Sequence, residues 1–170
     1  MQDTTDLFGV PVPSTDPVFL GFVVLHVVLG MSAVVIGICA MLSRKTGERH
    51  RKFGVYYFGL MAASFVTIIV LSVMRWPHNV HLLAIGVLAF GSAYAGRKLI
   101  KASTKRWSRW HTALMGISYV MLLTGFYVDN GKNLPFWNLF PQWFFYLFPS
   151  MIGIPIIVRV LKTHPLNRTR

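Results

Sequence analysis

The sequence predicts an all-α integral membrane protein: a pseudo-two-fold four-helix transmembrane bundle made of two hairpins, with a fifth transmembrane helix added to it. Three observations predict this. Hydrophobic residues make up 54% of the chain and gather into long runs almost free of charge. The basic residues are confined to alternate connections between those runs. The first two runs and the next two share one layout of histidines and basic residues. A helix rises about 1.5 Å per residue and the hydrocarbon layer is roughly 30 Å thick, so about 20 apolar residues cross it. Helices are the expected form because lipid offers a free backbone group no water to bond.

Composition narrows the function classes. The formal net charge is +12 and the pI is near 10.5, which in a soluble domain would suggest nucleic acid. Here the charge sits in short loops between apolar runs, where it sets orientation, so no nucleic-acid partner is expected. A lone cysteine, Cys39, lies within the first apolar run. It excludes a disulfide framework within the chain and reads as a small packing residue. The opening MQDTTDLFG lacks a basic leader, so the first span is expected to be retained.

Residues 1–15 are polar, acidic and proline-containing and read as an exposed N-terminal lead-in without packed structure. Residues 16–170 read as a single transmembrane domain. Asp16-Pro17 suits a helix start, a capping acid before proline at the first helical position. The spans are expected near 17–42, 53–74, 80–99, 110–128 and 142–161. Between the second and third lies only RWPHN, which predicts a tight antiparallel hairpin. The third carries small residues four apart, such as Ala89 with Ala93 and Ser92 with Gly96, which let backbones approach. That stripe is expected to lie against neighbours, including a membrane-protein partner. The connection DNGKNLPFWNLFPQ precedes the fifth span, in which Pro149 and Pro155 are expected to produce kinks.

Orientation follows from counting. Fifteen of the seventeen Lys and Arg fall in the first and third loops and at the C-terminal end, leaving Arg75 and Lys132 on the other side. Four of the five acids, Asp3, Asp6, Asp16 and Asp129, fall with those two. The positive-inside rule then predicts a multi-pass protein of the bacterial inner (plasma) membrane with the N-terminus outside and the C-terminus cytoplasmic. All five tryptophans fall near predicted span ends, as an aromatic belt requires.

The hairpin formed by the first two spans looks like the one formed by the next two. Each first helix carries a histidine toward its outer end, His26 and His81, and leaves through an Arg-Lys pair, Arg44-Lys45 and Arg97-Lys98. Each second helix starts at a cassette of arginine, histidine, glycine and tyrosine: Arg49, His50, Gly54, Tyr56 and Tyr57 in one, Arg109, His111, Gly116 and Tyr119 in the other. Such copies would be parallel repeats about an axis along the membrane normal.

Ionisable residues within spans are functional suspects. His26, in the frame VVLHVVLG, has no charged neighbour in sequence. Alternate helices of a bundle face each other, which would pair His26 with His81 on the outer side and His50 with His111 on the inner side. Two imidazoles facing across an apolar gap suit b-type haem, and Arg49 and Arg109 would meet its propionates. The expected cofactor is therefore one or two haem b, with His26, His81, His50 and His111 as iron ligands and quinone or another redox protein as partner.

Four histidines on successive helices, paired first with third and second with fourth, resemble the layout of b561-type di-haem cytochromes, which implies transmembrane electron transfer. The spacings of 24, 31 and 30 residues are shorter and uneven, and the flanking motifs of that family are not seen. A resemblance over more of the chain rests on HRKFG-V-Y and on Arg109, Trp110, His111, Met115 and Ser118. These are similar to an uncharacterised bacterial membrane family, domain of unknown function 2306, whose pattern includes HR-x-x-G-x-x-Y and H-x-x-W-M. The tryptophan of the second motif is missing here. That resemblance implies a multi-span protein and no particular activity.

Other readings stay open. His78 and His81, three apart, suit zinc or copper, with His26 as a third ligand. The chain also reads as a non-catalytic membrane subunit or scaffold whose histidines bond across helices. A small transporter fits less well, since charges are missing from the span interiors. No nucleophile–base constellation or phosphate loop is visible, so no catalytic residue is assigned.

Overall fold

The computed structural model describes residues 5–7, 10–12, 14–45, 47–101 and 107–163. Asp3, Lys105, Arg106, Arg168 and Arg170, which enter the charge count, lie outside the described residues. The fold consists of five helices, α1 (Pro17–Leu42), α2 (Glu48–Met74), α3 (Val80–Lys101), α4 (Trp107–Asn130) and α5 (Gln142–Thr163), preceded by two short strands. Each helix is long and apolar enough to cross a membrane.

Local chemistry sets the helix ends. The Asp16 carboxylate accepts from the Val18 N–H at 3.0 Å and Pro17 opens α1, as the sequence predicts. At the other end of α1, three carbonyls that have no partner within the helix are claimed from outside it. Ser43 donates its N–H and hydroxyl to the Cys39 carbonyl, His50 donates to Ala40, and the Lys45 ammonium donates to Met41. Gly47 turns the chain into α2 through an N–H bond of 2.8 Å to the Arg44 carbonyl.

Helices α2 and α4 start earlier than the hydrophobic runs suggest. The charged cassettes form the first turns of these helices, so His50 and His111 are helical residues. The lead-in also departs from expectation. β1 (Thr5–Leu7) pairs antiparallel with β2 (Val10–Val12), and the Val12 side chain is buried beside Phe19, Ile68 and Leu71. This segment therefore covers one end of the α1–α2 pair.

The most extensive packing is α1 on α2 and α3 on α4, followed by α4 on α5 and α2 on α3. The central core holds Ala33, Tyr57, Met61, Ala89 and Ala93. Small residues allow this closeness: a Cβ on Gly37 would stand 2.6 Å from the Tyr119 ring. The stripe on α3 serves the same purpose. Ala89 and Ala93 are core, Gly86 faces Ile68 and Phe65, and Gly96 faces Leu114 and Met115. The part of the stripe expected to dock a partner is thus largely occupied within the chain. Phe145 of α5 is fully buried against Gly131, whose missing side chain makes the room. Pro149 and Pro155 lie within one helical segment.

The distribution of polarity is inverted relative to a water-soluble bundle. Among the described residues, the buried polar ones are hydroxyls, Ser64, Thr67, Ser72, Ser118 and Thr124, whereas Val28, Val35, Leu42, Val66, Val73 and Leu88 are among many large apolar side chains facing outward.

Candidate functional site: two histidine centres

The cassettes bring His50 and His111 together. Their ring centroids are 6.4 Å apart with planes at 88°. Each ring is held through its Nδ1, His50 to the Ala40 carbonyl at 2.8 Å and His111 to the Gly96 carbonyl at 3.0 Å. A carbonyl only accepts, so each Nδ1 carries the proton. In the neutral ring Nε2 then keeps its lone pair, the arrangement by which proteins orient histidine for a metal. Two imidazoles sharing one metal at bonds of about 2.0 Å keep their centroids roughly 6 Å apart, and the observed spacing fits.

Two turns along the same helices, the Tyr57 hydroxyl meets the Ser118 hydroxyl at 2.9 Å in the buried centre. Tyr57 and Ser118 are 61 positions apart, as are His50 and His111. α2 and α4 therefore face each other in one register over both contacts. Tyr119 donates to the Val34 carbonyl at 3.3 Å and joins α4 to α1.

The expected arginines are not at the pair: Arg49 and Arg109 point outward and are exposed. They follow the polar sides of their first helical turns, away from the apolar interior. Among the described residues, the Lys45 ammonium lies within electrostatic reach of His111. That ammonium is half-buried, and burial holds its pKa below the ordinary 10.5. Arg97 lies over the Phe58 ring at 4.5 Å.

The outer pairing expected from sequence does not form. His81 is exposed at the start of α3 and lies within electrostatic reach of Asp129. His26 instead turns to α2. Its Nδ1 lies 2.8 Å from the Thr67 hydroxyl oxygen and 3.4 Å from that of Ser64. Thr67 gives its single hydroxyl proton to the Ser64 carbonyl at 2.8 Å, so it accepts from His26 Nδ1–H. His26 thereby also presents an unprotonated Nε2. The physical reason for the broken pairing is direction. Ala40 and Gly96, which hold the paired histidines, stand 56 positions apart, whereas His26 and His81 stand 55 apart, and one position turns a helical side chain by about 100°. His78 is exposed too, and among the described residues no three or more His, Cys, Asp or Glu cluster as a metal site would require.

The sequence reading gave no role to Ser64 and Thr67, and it named Ser118 and Lys45 only as motif residues. The signal for the first two was available: hydroxyls three apart in an apolar run lie on one helix face. No family, curated protein or solved structure matches the chain.

Proposed function

We propose that the chain is a small multi-pass protein of the bacterial inner membrane that carries electrons through one b-type haem held between His50 and His111. The observation that carries this reading is the histidine pair itself: two rings 6.4 Å apart, each with Nδ1–H fixed to a backbone carbonyl of the preceding helix.

The membrane part is supported by the inverted polarity, since lipid rewards outward apolar side chains and inward hydroxyls. The basic ends at the α1–α2 and α3–α4 connections support a cytoplasmic placement of the histidine pair. The pseudo-two-fold layout is supported by matching positions. Gly30, Ala33, Gly37 and Ala40 on α1 stand 56 positions before Gly86, Ala89, Ala93 and Gly96 on α3. Ala40 and Gly96 are the two carbonyls that hold the histidines. On this reading the pair sits on the repeat axis, where a ligand meets equivalent arms. The pairing of a histidine on the second helix with one on the fourth resembles part of the b561-type layout, and the resemblance of the cassettes to the 2306 family bears only on the multi-span character.

When bound, haem supplies the one-electron couple. The chain's own part is to keep both Nε2 lone pairs directed and to offer the Lys45 ammonium to an anionic substituent. His26 and His81 are outside this assignment. The test is a visible spectrum of detergent-purified protein, oxidised and then reduced with dithionite. A sharp b-type α-band at one haem per chain is expected, lost in His50→Leu and in His111→Leu and retained in His26→Leu.

One observation favours a second reading, a non-catalytic membrane subunit. The histidine bonds to Ala40, Gly96 and Thr67 each tie two neighbouring helices and need no ligand. Colourless protein from haem-replete cells, copurifying with a stoichiometric partner, would establish that reading and overturn the first.

A further inference from the structure

At the end away from the histidine pair, the helices leave a cavity of about 320 Å³, a volume typical of small-molecule sites. Four helices line it. Its walls are apolar and partly aromatic, with Phe19, Phe65, Phe90, Met61 and Met121. Gly30 and Gly86 leave low stretches in the wall. Among its polar lining, His26 and Ser64 form one corner, while Arg75, Asn79, Asp129 and Asn130 come from the ends of the helices.

The corner has a defined polarity. His26 Nδ1–H is held by Thr67, so Nε2 is an acceptor. Among the described residues no sealed side-chain nitrogen or oxygen lacks a partner, and Nε2 has none within the chain, so Nε2 is accessible. Ser64 adds a hydroxyl beside it. An acceptor next to a hydroxyl matches a ligand that donates an O–H. Arg75 and Asp129 lie at the helix ends, whereas the walls beside the His26 corner are apolar and would leave an ion unpaired, so the group bonded at that corner is neutral. The aromatic side chains suit a flat ring, and the cavity leaves space for the start of an apolar tail.

We propose that this cavity binds a lipid-soluble, neutral hydroxylated aromatic ring, the head-group chemistry of a membrane quinol, with a ring hydroxyl donating to His26 Nε2. The assignment does not depend on haem at His50 and His111, so either can fail alone.

The experiment is equilibrium binding of a decyl-substituted quinol to the full-length protein in lipid nanodiscs. It is compared with the dimethyl ether of the same quinol, which keeps ring and tail but donates nothing. One saturable site per chain is expected, with the ether bound about tenfold more weakly, the loss of one hydrogen bond to a desolvated acceptor. His26→Leu should reduce quinol affinity to that of the ether. Gly30→Leu should abolish binding of both, because an added Cβ there meets nothing within 4 Å and the side chain grows into the cavity. Equal binding of quinol and ether would show an acyl-chain slot and overturn the proposal, as would unchanged binding in Gly30→Leu. If His26→Leu fails to fold, the ether comparison and Gly30→Leu still decide.

Discussion

His26 and the His50–His111 pair solve one problem in two ways. In each case Nδ1 gives its proton to a neighbouring helix and Nε2 is left as an acceptor. The pair bonds to backbone carbonyls, which never donate, so its tautomer is fixed by groups no substitution removes. His26 bonds to a threonine hydroxyl whose own proton is committed elsewhere, so its tautomer depends on a side-chain relay. Packing differs as well. Around the pair and the tyrosines beneath it, Gly37 and the α3 stripe let the helices close. Around His26 they part and leave the cavity. Three histidines with the same internal wiring thus face a second ring at one end and an open space at the other.

The largest expected effect separates the two ends by spectrum. His50→Leu or His111→Leu removes the whole b-type band, and His26→Leu leaves its amplitude unchanged. Loss of colour in His26→Leu with the pair intact would erase the distinction.

The next effect is steric and compares two glycines of one helix. Gly37→Ala places a methyl 2.6 Å from the Tyr119 ring and 3.2 Å from Tyr57. A cost of about 1–3 kcal/mol is expected, the range for overpacking. Gly30→Ala, two turns away and facing open space, should be neutral or stabilise by up to about 1 kcal/mol through helix propensity. Unfolding titrations in bicelles measure both, and equal costs would mean that the two ends are packed alike.

A smaller effect tests the register. Tyr57→Phe and Ser118→Ala each remove one partner of the buried hydroxyl pair, at about 1–3 kcal/mol for the group left behind. The double variant should cost less than the sum of the two. Additive losses would show that the pair does not couple α2 to α4.

The smallest effect is pH-dependent. Burial lowers the Lys45 pKa in the folded chain below the ordinary 10.5. The unfolded state then binds more protons in that window, so stability should rise slightly as pH climbs toward 10.5. In Lys45→Met that slight rise should vanish, which thermal unfolding at stepped pH would reveal.

Much of the fold was legible in the sequence. The five helices follow from hydropathy, the start of α1 from Asp16-Pro17, and the meeting of His50 with His111 from the repeated cassettes. Less of the site was legible. Arginines one and two positions before the histidines suggested charge at the pair, but on a helix such positions point about 100° and 200° away from them, and Arg49 and Arg109 are exposed. The cation that approaches, Lys45, comes from the loop and is brought there by its bond to the end of α1. The lead-in gave no strand signal because its pairing is only three residues long and Val12 is buried through contact with α1 and α2.

By itself, the sequence determined the number and polarity of the helices and the extent of their apolar runs, because these depend on local hydrophobicity along the chain. Only the tertiary structure decided which histidines meet. That depends on depth along each helix and on rotation about its axis, which the packing of Gly37, Ala89, Ala93 and Gly96 against distant side chains sets. His50 and His111 share a level and a facing direction. His26 and His81 stand one position out of that register and face different ways, and His26 found its partner in the hydroxyls of α2.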